Sequence, residues 1–190
     1  AYEFHTGQLQ GTLRSAGRSI GFSPFTDVRT GASIAGRHGI FSHYRLLDAA
    51  TRYGHAAWDW TSEAKLLPDG TLESSWSADD EHPFDLRAVY CWKDGGTLDV
   101  TTSVTAKKPL KRFESFLASY FDGFSTAEIY VAPCSDVGEK SAFLSADRSF
   151  GHWLMFPRDE QSIKTATDGR WRRPPDPVDW KIMPRFAAPL

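Results

Sequence analysis

The chain has 190 residues, enough for one domain with a sizeable core and too few for two comfortable ones. Hydrophobic residues make up 41% and charged residues 24%, a balance that excludes a disordered chain. The net charge of −2 gives no electrostatic reason to expect a nucleic acid or an anionic membrane as partner. No run approaches the roughly 20 apolar residues that span a bilayer.

The chain opens Ala1-Tyr2-Glu3-Phe4-His5, without a charged stretch followed by an apolar core, so no leader and a cytoplasmic location are expected. Strands are expected at Leu9–Arg14, at Ser19–Val28 and, after the turn Arg29-Thr30-Gly31, at Ala32–Gly36. Ile40–Leu47 follows, and Tyr44 to Tyr53 offers the one stretch where a short helical turn fits. Ala56–Ser62 reads as a strand. Pro68-Asp69-Gly70 then separates the strands Glu63–Leu67 and Thr71–Ser77.

From Phe84 to Trp92 the period of two is clear, with Phe84, Leu86, Ala88, Tyr90 and Trp92 on one face. Leu98–Thr105 alternates likewise. The intervening Lys93-Asp94-Gly95-Gly96 is read as a hairpin turn whose Asp-Gly step supplies positive φ angles. Arg112–Phe121, Ala127–Ala132 and His152–Phe156 complete the strand set. The proline-dense stretch from Asp168 to Pro177 is expected to be an extended loop. The apolar end, Phe186 to Leu190, reads as the lead-in to further strands.

These elements predict one all-β domain over residues 1–190, an antiparallel twisted β-sandwich that continues past Leu190. Its interior accounts for most of the aromatic residues, which form 14% of the chain. Cys91 and Cys134 make no disulfide framework and are expected as buried free thiols.

No catalytic signature of fixed spacing is present. His38 and His43 are too far apart to build a metal site between them, so no metal and no cofactor is expected. Polar clusters are better candidates. In Ser42-His43-Tyr44-Arg45, a strand's period puts His43 and Arg45 on one face, where an imidazole and a forked guanidinium suit vicinal hydroxyls or carboxylates. In Arg112 to Asp122, Glu114 shares parity with Phe116, Ala118 and Tyr120. A carboxylate on such a covered face is either paired or raised in pKa, the setting of a general base. Phe156-Pro157-Arg158-Asp159 and Asp168-Gly169-Arg170-Trp171 each place charges at a turn beside an aromatic. The candidate catalytic residues are thus Glu114 and His43. The candidate substrate-binding residues are Arg45, Trp58, Trp60, Tyr120 and Arg158.

The order of features resembles the galactose mutarotase-like β-sandwich, or supersandwich, of aldose epimerases and related bacterial proteins. The matching segments are Phe25 to Gly31, Ala88 to Trp92, Leu98 to Thr105 and Leu117 to Phe121. The Ser-Tyr-Phe-Asp step that precedes Phe-Pro-Arg-Asp and Asp-Gly-Arg-Trp adds to the likeness. The resemblance implies a saccharide ligand. It also implies that classical mutarotation is lost, because Ala118 occupies the place of the family's catalytic acid His, and the family's catalytic Glu lies beyond Leu190.

A saccharide-binding sandwich predicts that His43, Arg45, Trp58, Trp60 and Glu114 converge on one concavity. An accessory or protein-interaction sandwich predicts instead a flat apolar patch or a homo-oligomer contact. A barrel holding an apolar ligand fits least, because the alternate strand faces are polar.

Overall fold

The computed structural model describes residues 1–145, 154–157, 159–178 and 181–183. They fall into two compact units, Ala1–Gly123 and Phe124–Leu190.

In the first unit, β1 (Tyr2–His5), β2 (Leu9–Arg14) and β3 (Gly21–Asp27) form an antiparallel sheet in that order. β4 (Ser42–Leu47) pairs with β9 (Glu114–Ala118). β5 (Glu63–Leu66), β6 (Leu72–Trp76), β7 (Phe84–Trp92) and β8 (Leu98–Ala106) form a four-stranded antiparallel sheet. The two larger sheets meet through their aromatic faces. Phe4 of β1 lies 5.1 Å from Trp92 of β7, and Phe22 of β3 lies 5.8 Å edge-on from Tyr90. The expected alternation holds in β7, where Phe84, Leu86, Ala88 and Tyr90 are buried and Arg87 is exposed. The fold is therefore an all-β, antiparallel, sandwich-like one, with its core between these faces.

Several local expectations need correction; Ala32–Gly36, for one, makes among the described residues only the isolated bridges Thr26↔Ser33 and Ala35↔Phe121. Ala56–Ser62 is not a strand but contains a 3-10 turn at Ala57–Asp59. Ala56 and Ala57 are both buried, and Trp76 Nε1 donates to Ala57 O at 3.0 Å, so the backbone itself is held against the core. The β7–β8 loop does not use positive φ at Gly95 or Gly96. It is a longer turn in which Lys93 N–H donates to Thr97 O and Asp94 Oδ1 accepts from Gly96 N–H. The tip packs on the β1–β2 turn, where the Thr6 hydroxyl donates to Gly95 O at 2.6 Å. No helix forms between Tyr44 and Tyr53, because Asp48 Oδ1 takes the N–H groups of Ala50 and Thr51 into a tight turn.

In the second unit, β10 (Glu128–Val131) and β11 (Ala142–Ser145) form a hairpin. β12 (Leu154–Met155) and β13 (Lys181–Ile182) pair in parallel. Between them lies α1 (Glu160–Ala166), which the hydrophobic period does not reveal because Ile163 is its only large apolar residue. Its start is nevertheless encoded, since Asp159 Oδ1 accepts from the Ser162 N–H at 2.8 Å. The proline-dense stretch begins not as an extended loop but as a 3-10 turn, Arg170–Arg172, in which Arg170 is fully buried and bonded to Asp168. Among the described residues no helix is long and apolar enough to cross a membrane.

Candidate functional site

The site grows from an irregularity in the β4–β9 ladder. His43 pairs with Leu117, but Arg45 pairs with the very next residue, Phe116, so Tyr44 is an extra residue in β4. Such a bulge cancels the period of two. His43 and Arg45, expected on one face, therefore look to opposite sides of the ladder.

His43 turns inward with Leu46. Its ring lies 5.5 Å from that of Trp76, and its Nε2 is 2.7 Å from the Thr102 hydroxyl. It is 1% exposed, and burial lowers its pKa to about 4, so the imidazole is neutral at pH 7. Its Nδ1 has no hydrogen-bond partner among the described residues.

The other face carries Arg45, Phe116 and, opposite Leu47, the half-buried Glu114. Arg45 is 2% exposed and donates from a terminal guanidinium nitrogen to the Tyr44 hydroxyl at 2.9 Å. Its guanidinium carbon lies 4.8 Å from the Tyr44 ring centre. Trp58, delivered by the 3-10 turn, stacks on Tyr44 at 5.0 Å with 23° between planes. Tyr120 lies 6.4 Å from Tyr44 and 6.5 Å from Trp58. His38 completes the group at 5.1 Å from Tyr120, and its Nε2 accepts from Arg37 Nε at 2.9 Å. Burial above all, and then the neighbouring Tyr44, push the Tyr120 hydroxyl up to about 12. It stays protonated, a hydrogen-bond donor at any ordinary pH.

Trp58 and Trp60 part company within two residues. Trp60 is buried and stacks flat on His82 at 3.9 Å, in a cluster with Phe84. The Asp79 carboxylate fixes that imidazole through Nδ1 at 2.8 Å. The five residues expected to converge are thus divided. Arg45, Trp58 and Glu114 belong to one face with Tyr120, while His43 faces the core and Trp60 packs elsewhere. Arg158 lies outside the described residues.

Tyr44 and His38 were the members that sequence reasoning missed. Tyr44 sat inside the motif that was singled out, but only the bulge gives it a side of its own. His38 lies outside the motif, and its spacing from His43 points only to the question of a metal site. Cys91 and Cys134 are free and half-buried. Among the described residues no three His, Cys, Asp or Glu side chains group as metal ligands. A shallow depression lined by Glu3, His5, Gln10 and Thr12 on the first sheet includes none of the candidates. Compared with known proteins, the chain matches no family model, no curated protein and no solved structure.

Proposed function

We propose that this chain is a saccharide-binding sandwich, of the mutarotase-like kind, with its site on the Arg45 face of the β4–β9 ladder. The observation that supports this reading is the grouping of Tyr44, Trp58 and Tyr120, half-buried rings that share one contact set around a buried guanidinium. Half-exposed aromatic faces suit the apolar C–H face of a sugar ring, and their polar edges suit its hydroxyls. The Tyr120 hydroxyl supplies a donor and His38 an imidazole at the rim.

Binding rather than turnover fits this site best. Acid–base chemistry at an anomeric centre needs two groups reaching one substrate. Glu114 has His43 on the far side of its own ladder, and Ala118, opposite Ser42, offers only a methyl group.

A thermal-shift screen of monosaccharides and glycans tests the proposal. A ligand of the native state at one hundred times its Kd adds about 2.7 kcal/mol of stability. The expected result is a raised melting temperature for at least one sugar, abolished in Trp58→Ala. A flat response across the panel overturns the reading. A protein-interaction role is the second reading, favoured by Tyr130 and Phe143, cross-strand neighbours 5.2 Å apart that are 48% and 65% exposed.

A further inference from the structure

β8 forms one edge of its four-stranded sheet, and among the described residues its only ladder is with β7. At the two ends of that ladder, Lys93 N–H donates to Thr97 O and Lys107 N–H donates to Pro83 O, each at 2.9 Å. Both bonds are in register with the pair Cys91↔Asp99. The odd-numbered residues of β8 therefore exchange hydrogen bonds with β7. The peptide groups of Leu98, Val100, Thr102, Val104 and Ala106 point out of the sheet. Among the described residues they have no ladder partner. Thr101 to Ala106 are exposed along this edge, including the apolar Val104 at 36%.

Natural edges are blunted by brevity, lysine, proline or a bulge. β5, the opposite edge of the same sheet, has four residues and carries the exposed Glu63 and Lys65. β8 has nine residues, contains no Lys, Arg or Pro, and bears one charge, that of Asp99.

The strand is also nearly its own reverse, Val100-Thr101-Thr102-Ser103-Val104. Two copies laid antiparallel about Thr102 set Val100 against Val104, Thr101 against Ser103, and Leu98 against Ala106. Every outward peptide group then has a reciprocal mate. The valines cover each other on one face and hydroxyls meet on the other. The two Asp99 carboxylates stand roughly 20 Å apart along the strands. Each is opposite Thr105 and diagonal to the partner's Lys107.

We propose that β8 joins two copies of this chain edge to edge, about a two-fold axis through Thr102, so that one sheet runs through both molecules. This association goes beyond saccharide binding and does not depend on it.

Sedimentation equilibrium of the full chain from micromolar to millimolar concentration tests it, together with amide hydrogen exchange. The expected result is a dimer that dissociates on dilution. The amides of Val100, Thr102 and Val104 slow as the concentration rises, while those of Asp99, Thr101 and Ser103, bonded to β7, are protected throughout. Val104→Lys, which places a lysine on the edge, is expected to raise the dimer Kd about tenfold or more. A chain that stays monomeric at millimolar concentration overturns the proposal. So does a dimer whose even-numbered amides exchange as fast as in the monomer, or one unaffected by V104K. The exchange pattern is read on the unaltered chain, so it decides even where V104K fails to fold.

Discussion

A histidine held neutral in the core makes the stability of this protein depend on acid. Burial alone puts the His43 pKa at about 4, against 6.5 for the free side chain. The unfolded chain therefore takes up the proton first as the pH falls. The contribution is complete above pH 6.5 and is lost progressively down to about pH 4. A shift of that size corresponds to about 3 kcal/mol. Denaturant titrations at pH 7 and pH 4 on the wild type and on His43→Leu check this, with the slope expected to flatten in the variant. The identity of the residue was plain from the sequence, but its state was not. A strand period cannot show that Trp76 and Thr102 close over the ring.

At the scale of elements, backbone approach decides which turns tolerate change. Gly39 has φ +74°, and a Cβ there would collide with the main-chain Ile20 O, where the following segment crosses β3. Gly70 has φ +82° in the β5–β6 turn, with nothing within 4 Å of its missing Cβ. Gly70→Ala is therefore expected to cost about 1 kcal/mol, from the left-handed backbone alone. Gly39→Ala is expected to cost about 3 kcal/mol or more, because strain and a clash with main chain add. Urea unfolding of the two variants side by side measures the difference. Most strands were legible because alternation survives wherever one face is buried, as at Phe84–Trp92 and Leu9–Arg14. The candidate site was legible in part. Arg45, Trp58, Glu114 and Tyr120 stand out in the sequence, but the bulge at Tyr44 inserts a residue without leaving a composition signal. The face shared by His43 and Arg45 was thus an artefact of assuming an unbroken period.

For the whole molecule, the main hydrophobic core draws, among the described residues, on those between Tyr2 and Phe113. The unit Ala1–Gly123 thus contains both sheets of the sandwich and, among the described residues, the core cluster between them. A fragment ending at Gly123 is expected to fold by itself, with near-ultraviolet circular dichroism from its buried tryptophans and one cooperative melting transition. A fragment that lacks both would show that the core alone is insufficient. Nothing in the composition marks a boundary near residue 123, because it falls in an ordinary loop without a proline-rich or charged linker. The placement of that core also sets an order of events during synthesis. Domains fold as units while the chain emerges. A ribosome that has released Gly123 has already delivered the rings of that core cluster. The aromatic faces are then able to close on one another while the remaining residues are still being made, which shortens the time that the most aggregation-prone surface spends exposed.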